Sequence, residues 1–193
     1  YSIFFDKSFG LMYNRCMLIR AYEPLDQHIQ PNKVTVIYGP RRVGKTTLLH
    51  HYLKDTRLKY RLDSGDDIRI QHILSSQDFA QIISHVEGYD LLAIDEAQNI
   101  ANIGMGLKIL VDQVPDLRII VTGSSSFELA GQVGEPLTGR KSTLTLFPLA
   151  QMELLQIHNR SELREKLADL LVYGMYPEVL LAAEQRERID VLM

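Results

Sequence analysis

Cysteine is nearly absent: Cys16 is the only one in 193 residues. No internal disulfide can form, and a lone thiol fits a reducing cytosol better than a secreted scaffold. We read Cys16 as core filling rather than as a nucleophile. Long apolar runs are missing too. Nothing approaches the roughly 20 apolar residues that span a bilayer, and the short apolar stretch from Tyr1 to Gly10 already contains Asp6 and Lys7. The expectation is a cytoplasmic protein with no membrane partner. Charge of one sign is also lacking, since 21 Lys+Arg stand against 24 Asp+Glu for a net −3. No global basic field therefore advertises nucleic acid, although a local basic patch stays open. The six histidines, His28, His50, His51, His72, His85 and His158, have neither cysteine partners nor metal-ligand spacing. Internal repeats, low-complexity tracts and Gly/Ser linkers are absent.

What is present is the composition of one globular domain with a small appended unit, 46% hydrophobic and 23% charged. Val34-Thr35-Val36-Ile37-Tyr38, Leu91-Leu92-Ala93-Ile94 and Arg118-Ile119-Ile120-Val121-Thr122 are apolar almost throughout, as parallel strands covered on both faces must be. Lys59-Tyr60-Arg61-Leu62 and Thr143-Leu144-Thr145-Leu146-Phe147 alternate instead, which suits strands at the sheet margins. Between the runs, Leu48, Leu49, Tyr52 and Leu53, then Phe79, Ile82, Ile83 and Val86, then Leu107, Leu110, Val111 and Val114 recur at helical spacing. Alternating strand and helix predicts an α/β fold, a three-layer sandwich on a parallel sheet. An order of 5-1-4-3-2 places the two wetter strands at the edges.

After Phe147-Pro148 only helical patterns follow, through Leu149, Met152 and Leu155, then Leu163, Leu167, Leu170 and Leu171. The expected organisation is a lead-in over 1–30, a core over 31–147 and a helical subdomain over 148–193. Because the sequence starts without Met and stops at Met193 inside a helical pattern, it is expected to be a piece of a longer protein.

Gly39-Pro40-Arg41-Arg42-Val43-Gly44-Lys45-Thr46 matches G-x-x-x-x-G-K-[ST] in full, directly after an apolar strand and before a helical pattern. Gly39 and Gly44 permit the conformations and close approach that let amide groups and a helix N-terminus face phosphates. Lys45 supplies a point charge to the β- and γ-phosphates. Thr46 presents a hydroxyl to Mg²⁺, which keeps most of its waters and takes few protein ligands. The nucleotide-binding set is Gly39, Pro40, Arg41, Arg42, Val43, Gly44, Lys45, Thr46 and Thr47, with ATP and Mg²⁺ as the implied cofactors. Arg41 and Arg42 either help hold phosphate or adenine or lie solvated on the loop's outer side. The second is preferred, because backbone amides already saturate the phosphate oxygens. An Asn-Lys-x-Asp guanine reader does not occur, which argues against a GTPase.

The strand 91–94 runs into Asp95-Glu96. Neighbouring side chains at a strand end diverge, so two carboxylates can take different tasks. Asp95 is assigned to Mg²⁺ and Glu96 to the attacking water; the rival is an acidic pair opening a helix at Ala97-Gln98-Asn99. The next strand ends in Thr122-Gly123-Ser124-Ser125-Ser126. Ser124 is the first choice for a polar sensor of the γ-phosphate and Thr122 the second; alternatively Ser124 to Ser126 cap a helix starting at Phe127-Glu128. Arg140, after Gly139 and before the last strand, is the candidate arginine finger for a neighbouring subunit's nucleotide, against the plainer reading of a surface arginine.

In that order, Gly39 to Leu48, Ile94-Asp95-Glu96-Ala97-Gln98, Val121 to Ser126, Leu137-Thr138-Gly139-Arg140 and Gly174-Met175-Tyr176-Pro177-Glu178 resemble a family. It is that of prokaryotic AAA+-like ATPases, whose AAA domain is followed by a domain of unknown function and which are close to the archaeal ATPases. The resemblance covers roughly residues 15 to 193. It implies a Mg-dependent ATPase that drives or switches an attached or partner domain, with Lys45, Thr46, Asp95 and Glu96 in the roles above and Arg140 in the family's Gly-Arg position. Partners beyond ATP and ADP would be copies of the chain in a homo-oligomer and DNA or protein, engaged through a C-terminal domain that this sequence lacks. A second glycine before the aromatic residue is more usual than Gly174-Met175-Tyr176; the plain reading of that turn is a rigid connector between helices. Two rival functions stand beside the ATPase: a nucleotide-dependent interaction switch with slow turnover, and a DNA-associated motor component. Asp95-Glu96-Ala97-Gln98 also resembles the tetrad of DEAD-box helicases, but the chain has no room for their second sheet.

Overall fold

A computed structural model describes residues 18–124 and 136–182. These divide into two compact units, Pro24–Phe147 and a second made from residues 18–23 and 148–182. Cys16, Ser125, Ser126 and the expected helix at Phe127-Glu128 lie outside the described residues.

The larger unit is built on a five-stranded sheet whose pairings are all parallel. β1 (Val34–Tyr38) is buried throughout, β3 (Leu91–Asp95) is buried up to its last residue, and β4 (Arg118–Gly123) is buried after its first. β2 (Tyr60–Ser64) and β5 (Lys141–Thr145) each bury a single residue fully, Asp63 and Leu144. Spatially the order is β2-β3-β4-β1-β5, the expected 5-1-4-3-2 read from the other side. Strands apolar on both faces need helices on both faces and occupy the centre, while strands that tolerate water take the margins.

Both edge strands differ in extent from the sequence pattern. β5 starts two residues earlier than Thr143, because Val34 N donates to Arg140 O at 2.9 Å and fixes Lys141 opposite Val34. β2 continues past Leu62 because Asp63, an unexpected residue for a strand, is buried against His85.

Helix α1 (Lys45–Asp55) buries Leu48, Leu49, Tyr52 and Leu53, the expected stripe, together with Lys45. Two helices stand between β2 and β3 where the pattern suggested one. Of these, α2 (Ile68–Ser75) is capped by Asp67, which accepts from Arg69 N, and buries only Ile70 and Leu74. The other, α3 (Phe79–His85), is capped by Asp78, which accepts from Ala80 N and Gln81 N. α4 (Ile103–Gln113) is buried along Ile103, Leu107 and Leu110. Val34, Val36, Tyr38, Leu92, Ile94, Ile119 and Val121 form one core with residues of α2 to α4. Strand alternation turns Thr35, Ile37, Ala93 and Thr122 to the opposite face. The carboxyl ends of β1, β3 and β4 consequently meet along one rim of the sheet.

The smaller unit holds α5 (Gln151–Leu154), α6 (Arg160–Glu165), α7 (Leu167–Tyr173) and α8 (Pro177–Leu181). Leu149, Leu154 and Leu163 are its buried core, with Leu18, Leu170, Met175 and Leu180 packed on them. Arg20 Nε pairs with Glu153 Oε1 at 3.0 Å, and the amides of Ala21 and Ala150 donate to the same carboxylate. Burial pushes the Glu153 carboxyl up, but those backbone bonds and the guanidinium outweigh it and hold the group below its ordinary range. Gly174, at φ 79°, ends α7, and Pro177 opens α8, so the Gly174-Pro177 turn connects two helices. Among the described residues no helix is long and apolar enough to cross a membrane.

Candidate nucleotide-binding site

Tyr38 lies opposite Gly123 of β4 and Thr145 of β5, so the chain leaving β1 passes between two strand ends. Space there is minimal: a Cβ on Gly39 would sit 2.2 Å from the carbonyl oxygen of Leu146. The loop turns back through Arg42 (φ 63°) and Gly44 (φ 93°), the latter being the left-handed residue immediately before α1. Val43 is fully buried, whereas Pro40, Arg41, Arg42, Thr46 and Thr47 are exposed. Lys45, only 4% exposed, donates from Nζ to Gly39 O at 3.0 Å and Pro40 O at 2.7 Å. Its ammonium is thereby held inside the loop. Burial lowers its pKa, and the nearby carboxylates of Glu96 and Asp95 oppose that shift.

Facing the loop is the end of β3. Thr46 Oγ1 donates to Asp95 Oδ2 at 2.9 Å, and the hydroxyl of Thr122 donates to Asp95 Oδ1. That hydroxyl also accepts from Glu96 N at 3.0 Å, so one buried threonine of β4 holds both members of the acid pair. Glu96 itself has φ 52° and ψ 44° and precedes a single 3₁₀ turn, Ala97–Asn99, which its side chain does not cap. The left-handed residue separates the two carboxylates, which keep different partners. Behind Glu96 lies the turn after β2. Gly65 N donates to Asp95 O at 2.7 Å, and a Cβ on Gly65 would come within 2.1 Å of Glu96 O. Asn99 Nδ2 donates to Asp66 Oδ1 at 2.6 Å, closing the same contact one turn further on.

Gln98 completes the arrangement. Its Nε2 donates to Glu96 Oε2 and, at 3.1 Å, to Ser124 Oγ, while its Oε1 accepts from Ser124 N at 3.3 Å. Ser124, the expected sensor, is thus tied to the acid pair through Gln98, and Thr122, the second choice, touches that pair directly. Gln98 was missed as a site residue. Its place at the end of the Asp95-Glu96-Ala97-Gln98 motif is the sequence signal that could have found it, and the left-handed turn that makes it useful is not legible from residue types.

Lys45, Thr46, Asp95, Glu96 and Ser124 come together at one rim, and Arg140 does not join them. It precedes β5 at the opposite, amino-terminal rim, where Nε pairs with Asp112 Oδ1 at 2.7 Å. A hard divalent cation fits the first group. The hydroxyl of Thr46 and the carboxylate of Asp95 are oxygen donors already in contact, and Mg²⁺ needs few protein ligands beyond such a pair. Among the described residues no group of three or more His, Cys, Asp or Glu could hold a metal.

The parallel sheet in this order, the glycine-framed loop before α1 and the acid pair at the end of β3 define a P-loop ATPase fold. A family model described as "AAA domain" matches residues 31–155, and the chain belongs to that family. An uncharacterized protein of Methanocaldococcus jannaschii is 27% identical over 176 residues, covering 84% of this chain and 40% of its own length. An uncharacterized protein of Haemophilus influenzae is 30% identical over 171 residues, covering 78% and 41%. The chain therefore spans about two fifths of the length of these curated relatives. Among solved structures it is similar to a Signal Transduction ATPase with Numerous Domains, a protein with a tetratricopeptide repeat sensor from Pyrococcus horikoshii. The TM-score is 0.54 at 15% identity, over 92% of this chain and 32% of that one, a likeness of fold.

Proposed function

We propose that the chain binds Mg-ATP at residues 39–47 and hydrolyses it, driving or switching a domain attached to it or a partner. The observation that carries this reading is the hydrogen-bonded set Thr46, Asp95, Thr122 and Glu96, which ties the phosphate loop to the acid pair. Lys45 exchanges its two carbonyl partners for β- and γ-phosphate oxygens, an exchange favoured by the cost of keeping an ammonium buried on neutral acceptors alone. Thr46 and Asp95 hold the cation, whose bound charge neutralises phosphate oxygens. Glu96 orients the attacking water and takes its proton. Ser124 reads the γ-phosphate from the end of β4, and Arg140 serves a neighbouring subunit's nucleotide in a homo-oligomer.

Two features favour the switch variant, in which turnover is slow. The similar solved structure is a signal-transduction ATPase, and the relatives carry about three fifths of their length beyond the matched part. A protein or DNA partner engaged there is part of this proposal, and ATPase rates with and without DNA on the full-length protein separate the motor from the switch. Nucleotide binding is tested by melting temperature. Millimolar Mg-ATP at about 100 times its dissociation constant adds about 2.7 kcal/mol to stability, and Lys45→Ala should abolish the rise. A parental melting temperature that does not move would sink the reading.

A further inference from the structure

Resting on the hydrolysis reading, we propose that Gln98 is a positioning residue that fixes the Glu96 carboxylate by one oxygen and couples it to Ser124. An amide side chain offers two donor hydrogens and one acceptor oxygen, with capacity for four bonds. Three are made here, all within one strand-end network: to Glu96 Oε2, to Ser124 Oγ and from Ser124 N. A half-buried glutamine so engaged has little rotamer freedom left. Glu96 Oε1 makes no hydrogen bond among the described residues, so the carboxylate is held at one end and open at the other. A residue that orients water needs this arrangement, because catalysis of phosphoryl transfer depends chiefly on positioning.

The backbone shows the same purpose. Glu96 sits in a left-handed conformation, which costs an L-residue roughly 1–2 kcal/mol and persists where surrounding structure over-determines it. Thr122 holds its amide and Gly65 crowds its carbonyl. Neither hydrogen-bonds the Glu96 carboxylate; Gln98 does. Ser124 follows Gly123, the register partner of Tyr38, and so borders the start of the phosphate loop. Gln98 therefore links Glu96 to the strand end beside the loop, and a γ-phosphate contact at Ser124 reaches Glu96 through a single side chain. Neither an ionised glutamate nor an aliphatic residue at position 98 can donate to a carboxylate.

The test uses Gln98→Ala and the isosteric Gln98→Glu in the full chain, with Mg-ATP affinity measured beside kcat. Both variants should lower kcat by about tenfold or more, as small misplacements of a reacting group do, with Mg-ATP affinity near parental. Ser124→Ala should lose less, and the double variant should lose less than the product of the two single losses, because the two share one network while Ser124 keeps its own contact with the γ-phosphate. Independently of turnover, the Gln98 side-chain amide resonances should move in Glu96→Ala and in Ser124→Ala. Should Gln98→Ala fail to fold, Gln98→Glu decides. Parental or raised kcat in the folded variants, or amide resonances indifferent to Glu96→Ala, overturns the proposal. If the parental chain binds Mg-ATP without turnover, the hydrolysis reading fails and the catalytic sense of the proposal fails with it. The amide resonances then still decide whether Gln98 holds Glu96.

Discussion

Asp95 and Glu96 are adjacent in sequence, and their separate surroundings make separate tests possible. Asp95 is bonded by two hydroxyls, those of Thr46 and Thr122; Glu96 is bonded by the amide of Gln98. Glu96→Gln keeps size and most hydrogen bonding but removes the base, so it should bind Mg-ATP with near-parental affinity and lose hydrolysis by about 10² or more. Asp95→Asn should instead raise the Mg²⁺ concentration needed for nucleotide binding, since a neutral amide is a poorer ligand for a hard cation. Equilibrium binding across a Mg²⁺ titration, alongside single-turnover hydrolysis, checks both. Glu96→Gln turning over at the parental rate would remove Glu96 from the mechanism.

At the scale of elements, Gly39, Gly65 and Gly106 mark where backbone approaches backbone, and the last two allow the site to be separated from mere packing. On Gly65 a Cβ would lie 2.1 Å from Glu96 O; on Gly106 it would lie 2.3 Å from Leu74 O, between α4 and α2. Overpacking of this kind costs about 1–3 kcal/mol, so Gly65→Ala and Gly106→Ala should both lower the melting temperature. Only Gly65→Ala should also reduce kcat, because the displaced neighbour is Glu96 itself; equal loss of kcat in both would reduce the β2–α2 turn to scaffolding. The same elements show what the sequence reveals. The edge positions of β2 and β5 were legible because Tyr60 to Leu62 and Thr143 to Leu146 alternate while the other three runs do not; the order of the three central strands followed only from the resemblance to P-loop ATPases. Helix α2 was not, since Ile70 and Leu74 alone are fully buried and the stripe is too short to stand out beside Asp66-Asp67. The phosphate loop is local in sequence and could be read directly. The network of Gln98, Ser124 and Gly65 joins three strand ends, and no spacing along the chain encodes it.

For the whole molecule, the position of Arg140 makes assembly a question the chain itself poses. Lys141 pairs with Val34, and Thr145 with Tyr38, beside the loop. Arg140 therefore stands a full strand away from its own Lys45, roughly 13 Å or more at about 3.3 Å per residue. Its side chain is still 41% exposed despite the bond to Asp112. Such a half-exposed pair contributes about 0–1 kcal/mol, so α4 and β5 do not depend on it, and the fork remains free to change partners. Acting on a neighbour's γ-phosphate, it would make turnover depend on assembly. Arg140→Ala should then keep nucleotide affinity and lose turnover, whereas Asp112→Ala, which removes only the resting partner, should stay near parental. Mixing Arg140→Ala with Glu96→Gln should restore activity, since mixed oligomers form interfaces that join an intact Glu96 site to an intact Arg140. ATPase activity against protein concentration, for the parent and for the mixture, gives the answer. Constant parental specific activity down to a demonstrated monomer, with no recovery on mixing, leaves Arg140 as a surface arginine paired with Asp112.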